Sequence, residues 1–209
     1  MLRILIADDH TVVRKGLKQI LLEEFPAAHI EDVPDAEEMI KKVMQAKWDV
    51  VVSDMSMPGR SGLDALQQIK QIYPDLPVLI LSIHPEEHYA LRVLKAGASG
   101  YLSKGSASDE LVKAVQTVLL GKKYISAAVA EKLASSFSAD TAKHAHELLS
   151  DREFDVMKLL ATGKSVSEIA EILSLSVTTI STYRARIMTK MNLKTNSDLT
   201  KYAIESKLL

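Results

Sequence analysis

The chain has 209 residues, 47% of them hydrophobic, and a formal net charge of −1, so it can bury substantial cores as one large domain or two small ones. It contains no cysteine, which excludes disulfides and thiolate metal sites and is compatible with a reducing compartment; we expect the cytoplasm. No apolar run has the length and flanks of a signal peptide or a membrane span, so we expect no membrane association.

Short apolar runs alternate with amphipathic segments over the first 121 residues. The runs do not alternate with polar residues, which is typical of parallel strands covered by helices on both faces. They predict strands at 4–7, 30–33, 50–52, 78–81 and 101–102. Helical periodicity lies between them, at 12–24, 36–46, 63–72, 86–95 and 109–120. Five such units predict an α/β fold with a right-handed, doubly wound, five-stranded parallel sheet, and the first domain is predicted to end at Gly121.

A linker is predicted over 122–147. Residues 127–137 have helical periodicity, and residues 138–144 are small and polar with no periodicity. This composition is typical of a connection between domains. The linker is therefore expected to include a helix and to separate the first domain from a second one at 148–209.

The second domain is predicted to be all-α, because strand signals vanish after Leu149. The segments Ser150–Glu153 and Ser165–Glu168 both fit capping boxes ahead of apolar runs. Ser176 is placed to cap a third helix over 177–191. A fourth helix is predicted over about 197–206, which gives a four-helix domain.

Polar residues follow the predicted strands at one edge of the sheet, where open parallel sheets bind ligands. They are three carboxylates, a hydroxyl and an ammonium, at Asp8, Asp9, Asp54, Ser82 and Lys104. Three carboxylates repel one another unless a cation holds them, and oxygen donors suit Mg²⁺ or Mn²⁺. In such a site an aspartate can attack a phosphoryl group to give an acyl phosphate, while the metal and the lysine neutralise its oxygens.

These residues, with Tyr101 and the stretch Asp54-Met55-Ser56-Met57-Pro58-Gly59, resemble the receiver domain of two-component systems over about residues 1–121. The resemblance implies a flavodoxin-like fold with Asp54 as the phosphoacceptor. It also implies that Asp8 and Asp9 support the metal together with Asp54, and that the main-chain carbonyl of Ser56 is a further ligand.

The same resemblance assigns roles at the ends of the fourth and fifth strands. Lys104 would pair with the phosphoryl group, and Ser82 and Tyr101 would be the switch hydroxyl and the switch aromatic residue. Their movement would change the face formed by the fourth helix, the fifth strand and the fifth helix. The sequence departs from the family at Gly105, where many receivers have proline after the lysine.

A short helix, a tight turn and a second helix are predicted over 169–187, which is a helix-turn-helix whose second helix can enter the major groove of DNA. Ile180, Ile187 and Met191 recur at helical spacing and should face the core. From Arg184 to the end, six lysines and arginines stand against two acidic residues, which favours contacts to phosphates.

Three stretches resemble the LuxR-type output domain over about 148–209: Leu149-Ser150-x-Arg152-Glu153, the residues from Ala161 to Ala170, and the residues from Leu175 to Met191. With the receiver, they resemble the NarL/FixJ class of response regulators. The resemblance implies binding to double-stranded DNA, with base-facing positions at Ser181, Thr182 and Ala185. It implies backbone contacts by Thr178, Thr179, Arg184 and Lys190. Tyr183 stands where many relatives have histidine.

The implied function is that of a regulator rather than an enzyme, apart from assisting its own phosphorylation and dephosphorylation. A sensor histidine kinase would donate the phosphoryl group, and homodimers would then bind DNA sequence-specifically. The receivers could pair through the fourth and fifth helices or through the first and fifth. The apolar residues Leu199, Tyr202 and Ala203 of the last helix either pair two output domains or close the core of one.

Two other functions fit part of the sequence. A magnesium-dependent phosphohydrolase has similar acids, but its nucleophile usually follows the first strand in an Asp-x-Asp pattern, whereas Asp8 and Asp9 are adjacent here. A phosphorylation-independent DNA-binding regulator would keep the acidic pocket as a scaffold, and the completeness of the pocket disfavours it. His10 and His84 border the site and are assigned no role, because Mg²⁺ prefers oxygen ligands.

Overall fold

The computed structural model describes residues 1–84, 86–126, 129–131, 145–206 and 208–209. The chain divides into two compact units, Met1–Ala139 and Asp140–Leu209. The helix predicted at 127–137 lies mostly outside the described residues. Within the described ranges, every helix is too short or too polar to cross a membrane.

The first unit is a five-stranded parallel sheet in the order β2-β1-β3-β4-β5, with a helix after each strand. The strands are β1 (Arg3–Ala7), β2 (His29–Val33), β3 (Val50–Asp54), β4 (Val78–Ser82) and β5 (Gly100–Ser103). The helices are α1 (Thr11–Glu24), α2 (Ala36–Gln45), α3 (Gly62–Ile72), α4 (Glu86–Lys95) and α5 (Ala107–Leu119). The predicted doubly wound parallel sheet is therefore confirmed.

The central strands β3 and β4 are buried at every position, which explains why their sequences do not alternate. Leu17 and Leu21 of α1 belong to one hydrophobic core with Leu111 and Val115 of α5. In the parallel register, Asp54 lies beside Leu81 and Ser82 lies beside Ser103. The carboxyl ends of β3, β4 and β5 are thus level, and their polar residues emerge at one edge.

The second unit contains helices only, among its described residues. A short 3-10 turn at Ala145–Leu148 precedes α6 (Asp151–Ala161), α7 (Val166–Ile172), α8 (Val177–Met191) and α9 (Asn196–Glu205). Both predicted capping boxes are present, at Ser150 and Ser165. A third capping box joins Thr195 to Asp198. The sequence did not reveal this box because the usual pattern has Glu or Gln, not Asp, three residues after the N-cap.

The core of the second unit explains the helical periodicity of its sequence. Ile180 and Ile187 of α8 are fully buried, as predicted from their spacing, and Met191 is nearly so. Leu199 and Ala203 of α9 are also fully buried, so these two residues close the core of their own unit.

Candidate functional site

The acidic residues predicted to converge do so at the carboxyl edge of the sheet. Asp8 and Asp54 are 0% and 3% exposed, and the Asp9 side chain is 25% exposed. One ligand atom from each of these carboxylates and from the His10 ring lies within 4.8 Å of all the others. Since Lys104 pairs with two of the three carboxylates, the cluster retains an excess of negative charge that suits a divalent cation.

Lys104 is held inside this cluster by two carboxylates. Its Nζ lies 2.9 Å from Asp54 Oδ2 and 2.7 Å from Asp8 Oδ2. Burial opposes the charge of the ammonium, but hydrogen bonds to Asp8 and Asp54 outweigh it and raise the pKa of Lys104 above its usual value. The lysine is therefore a fixed positive charge beside the Asp54 carboxylate.

The surroundings of Asp54 combine burial with a few directed hydrogen bonds. Burial raises the pKa of Asp54 above its usual value, and the hydrogen bond from Lys104 offsets part of this effect. The Ser56 main-chain N–H donates to Asp54 Oδ1 over 3.1 Å. Gly62, the first residue of α3, lies against the Asp54 main chain, and a Cβ at that position would come within 1.8 Å of the Asp54 carbonyl oxygen.

The lysine loop continues the sheet despite the departure at Gly105. The Lys104 main-chain N–H donates to the Ser82 carbonyl oxygen over 2.8 Å, which extends the pairing of β4 with β5. All peptide bonds between described residues are trans. The ladder of β4 and β5 thus places the lysine at the pocket.

The two predicted switch residues meet at the main chain of His84. Ser82 is 1% exposed and its Oγ accepts the His84 main-chain N–H at 3.0 Å. Tyr101 is 3% exposed and its hydroxyl donates to the His84 carbonyl oxygen at 2.7 Å. The His84 ring stacks on Tyr89 of α4, with ring centres 4.6 Å apart. Both side chains are therefore hydrogen-bonded to the main chain of the same residue, just after β4.

Arg14 is a site residue that the sequence reasoning missed. Its Nη1 donates to the Asp8 carbonyl oxygen over 2.6 Å, and its Nε donates to Asp32 Oδ2 over 3.0 Å. The guanidinium therefore holds the loop after β1 against the end of β2. Arg14 lies on an amphipathic helix, and only the pairing of β1 with β2 brings Asp32 within its reach.

The predicted DNA-contacting positions lie on α8 with different accessibilities. The positions that are exposed to solvent are Thr178, Ser181, Thr182, Ala185 and Lys190. Thr179 is half-buried, and its main-chain N–H donates to the N-cap hydroxyl of Ser176 at 3.0 Å. Arg184 is also half-buried, and its Nε donates to Asn196 Oδ1 at 3.0 Å, which leaves other guanidinium donors for a phosphate.

Lys190 has a structural partner in addition to its predicted place at DNA. Its Nζ lies 2.6 Å from Oε2 of Glu153, whose side chain is only 3% exposed. Burial opposes the charge on Glu153, but hydrogen bonds from Lys190 and Ser150 outweigh it and lower the pKa of Glu153 below its usual value. Glu153 is also the acid of the first capping box, so this one side chain links α8 to the start of α6.

Comparisons with known proteins agree with both halves of the molecule. Residues 4–116 match the family described as response regulator receiver domain, and residues 147–203 match the family described as bacterial regulatory proteins, luxR family. The chain is 39% identical to the oxygen regulatory protein NreC of Staphylococcus carnosus over 215 residues, covering 100% of this chain and 99% of that protein.

Solved structures of RcsB are similar to the chain over nearly its whole length. RcsB from Salmonella enterica serovar Typhimurium, bound to promoter rprA in the presence of phosphomimetic BeF3−, has a TM-score of 0.60 and 26% identity, covering 97% of this chain and 98% of that one. A structure of two RcsB dimers bound to two parallel DNAs has a TM-score of 0.58 and 28% identity, covering 96% and 97%.

The acidic pocket, the parallel sheet and the helix-turn-helix therefore agree with the sequence matches. The two matched segments leave residues 117–146 between them. The chain belongs to the response regulators of the NarL/FixJ class, in which a receiver domain is joined to a LuxR-type DNA-binding domain.

Proposed function

We propose that Asp54 is the phosphoacceptor and that its phosphorylation controls DNA binding. The observation that carries this proposal is the ion pair between Lys104 Nζ and Asp54 Oδ2, in a cluster with the buried carboxylate of Asp8 and the half-buried one of Asp9. An oxygen of Asp54 would form a bond to phosphorus as the bond between phosphorus and nitrogen in a phosphohistidine breaks. Membership of the response regulators supports a sensor histidine kinase as the proposed donor.

We propose Asp8, Asp9, Asp54 and the main-chain carbonyl of Ser56 as the groups that hold Mg²⁺ or Mn²⁺. When bound, the cation would neutralise charge on the phosphoryl oxygens. Lys104 would keep its ammonium beside the same oxygens, and Arg14 would keep the Asp8 main chain in place. These side chains serve only the chain's own phosphorylation and dephosphorylation, so we propose no separate enzymatic activity.

The proposed signal runs from the phosphoryl group to the main chain of His84. Ser82 Oγ would turn from the His84 N–H toward a phosphoryl oxygen. Tyr101, whose ring is already buried, would move with the His84 carbonyl to which its hydroxyl donates. The β4–α4 loop would then take a second arrangement and alter the face that α4, β5 and α5 present. A homodimer formed through a receiver face would bring two output domains together.

We propose a receiver domain at 1–121, a linker at 122–147 and an output domain at 148–209. In the output domain, α8 would enter the major groove of double-stranded DNA. The proposed base-facing residues are Ser181, Thr182 and Ala185, and the proposed backbone contacts are Thr178, Thr179, Arg184 and Lys190. A DNA partner and a kinase donor favour a place in the cytoplasm.

The first test is intact mass spectrometry after incubation with Mg²⁺ and a small-molecule phosphodonor. The wild-type chain should gain one phosphoryl group, and the Asp54→Ala variant should gain none. Matched circular dichroism spectra would establish that the variant is folded, and a known receiver would control for donor quality.

An adduct on both proteins would place the phosphoryl group on another residue and overturn the assignment to Asp54. Folded wild-type protein without an adduct would favour the phosphorylation-independent regulator, in which the pocket is a scaffold. A phosphohydrolase would instead release inorganic phosphate over many turnovers without a lasting adduct. The position of Asp54 at the end of β3, rather than β1, disfavours that third possibility.

A further inference from the structure

Val177, the first residue of α8, is an apolar residue that the core of the output domain leaves half exposed. It is 50% exposed, whereas Ile180 and Ile187 of the same helix are fully buried. The Ser176 hydroxyl caps the helix by accepting the Thr179 main-chain N–H at 3.0 Å, so the cap does not depend on Val177. The core and the cap therefore leave the exposed half of this side chain without a structural role.

Val177 continues the row of positions that are proposed to face the bases. Residues four apart lie on one face of an α-helix in successive turns, so Val177, Ser181 and Ala185 form a single row. All three are exposed. In a helix-turn-helix, residues near the N-terminus of the second helix contact base edges in the major groove. The N-terminal end of this row is therefore a position for a base contact.

Two features of this part of α8 suit close contact with a base. The exposed neighbours Thr178 and Ser181 have short side chains, so they do not hold Val177 away from the duplex. Valine is branched at Cβ and has one strongly preferred rotamer in a helix, so little side-chain entropy is lost when it is fixed against a ligand.

A valine can distinguish only one feature of the major groove. Hydroxyls such as those of Ser181 and Thr182 can bond to several bases, whereas valine has no hydrogen-bonding group. Among the groups that base pairs present in the major groove, the C5-methyl of thymine is the apolar one. Contact between valine and this methyl group removes apolar surface from water on both sides.

We propose that Val177 sets part of the DNA sequence preference by packing against the C5-methyl group of one thymine in each half-site. The inference rests on the proposed function and adds a base contact to those already proposed for α8. Each half-site should therefore contain a T·A pair at one fixed position.

The test removes the methyl group from the DNA and the valine from the protein. A duplex that the full chain binds tightly is selected from a randomised pool in the presence of Mg²⁺ and beryllium fluoride. Each thymine of one half-site is then replaced by deoxyuridine, which pairs in the same way and lacks only the C5-methyl group. Fluorescence anisotropy gives the dissociation constant of each duplex for wild type and for two variants.

Val177→Ala is the test variant, and Ile172→Ala is its matched control. Ile172 is 52% exposed at the end of α7, so it lies off the row on α8. Deoxyuridine at one position should weaken binding by wild type and Ile172→Ala about three- to four-fold, the effect of uncovering one methyl group. Val177→Ala should bind that duplex and its thymine parent nearly equally. It should also stay folded, because alanine favours a helix.

Three results would overturn the proposal. If no deoxyuridine weakened binding by the wild type, or if Val177→Ala kept the same loss at the same thymine, Val177 would not contact a thymine methyl group. If both variants abolished the loss, the effect would not be specific to Val177. In each case the wild type still binds the selected duplex, so the proposed DNA binding stands. A pool from which no duplex is enriched would instead remove both the proposed DNA binding and this inference.

Discussion

Two cations of the output domain, Arg184 and Lys190, differ in what they contact within the protein. Arg184 binds the neutral side chain of Asn196, whereas Lys190 binds the buried carboxylate of Glu153. Removing a charge beside a neutral partner leaves no buried charge behind. Removing one beside a buried carboxylate leaves that carboxylate uncompensated, which is destabilising.

We expect Arg184→Ala to weaken binding to DNA of every sequence, because phosphate contacts carry no sequence information. The slope of log affinity against log salt concentration should become shallower by about one. Titrations of specific and unrelated duplexes at several salt concentrations would measure both effects. An unchanged slope would count against a phosphate contact at Arg184.

We expect Lys190→Ala to destabilise the output domain by about 1–3 kcal/mol, because it leaves a buried acceptor without its charged donor. Lys190→Arg keeps the charge and should recover most of this loss. Hydrogen exchange of the α6 and α8 amides, measured by mass spectrometry, would report the change. Equal protection in Lys190→Ala and wild type would show that the ion pair contributes nothing to stability.

The same pair predicts how stability depends on pH. Because the folded-state pKa of Glu153 lies below its usual value, its stabilisation is present above the unfolded-state pKa of about 4.3 and is lost as pH falls through the folded-state pKa. Glu153→Gln should therefore lose hydrogen-exchange protection at neutral pH, and the difference in protection from wild type should narrow as pH falls below about 4.3. If the difference in protection between Glu153→Gln and wild type stayed constant as pH fell, ionisation of Glu153 would not contribute to stability.

The sequence predicted which residues meet at the ends of the strands. It did not predict contacts between residues on helices that are far apart in the chain. Asp8, Asp54 and Lys104 follow apolar runs, and parallel pairing alone brings such positions together. Lys190 and Glu153 are 37 positions apart on two amphipathic helices, and no periodicity shows that they meet. His10 could be placed beside the site, but its distance from Asp9 required the turn geometry.

At the scale of elements, the N-terminus of α3 is pressed against the end of β3. The Gly62 N–H donates to the Met55 carbonyl oxygen at 3.0 Å, and the absence of a side chain at Gly62 permits contact with the Asp54 main chain. Hydrophobic periodicity predicted α3 as a helix but started it one residue late. Glycine has no side chain and so adds nothing to a hydrophobic pattern. The contact of Gly62 with the Asp54 main chain is a tertiary contact, which the local sequence does not show.

Gly62→Ala should destabilise the receiver by about 1–3 kcal/mol or more, because its Cβ would meet main-chain atoms that no rotamer change can move. Gly16→Ala is the matched control. Gly16 lies inside α1 with nothing within 4 Å of an added Cβ, so alanine there should stabilise the protein by about 0.5–1 kcal/mol.

Thermal unfolding of both variants, with the phosphoryl adduct quantified by mass spectrometry, would test this contrast. We expect Gly62→Ala to lose most of the adduct and Gly16→Ala to keep it. Comparable stability in the two variants would show that the β3–α3 junction can relax around a methyl group.

For the whole molecule, the acidic pocket and α8 lie in different units, so the signal has to pass between them or between molecules. Symmetric pairing of receivers would serve this purpose without any change inside the output domain. Two output domains that are held together bind paired half-sites with a higher effective concentration than two free ones. The gain in DNA affinity would therefore follow from dimerisation itself.

We expect beryllium fluoride, a phosphoryl mimic, to double the mass of the protein in solution. With Mg²⁺ and beryllium fluoride, sedimentation should give a species of twice the 23.0 kDa chain, whereas Asp54→Ala should remain at 23.0 kDa. Affinity for a duplex with two half-sites should rise with the dimer, while affinity for one half-site should stay unchanged. If affinity for one half-site rose without a change in mass, the output domain would instead be released from contacts within its own chain.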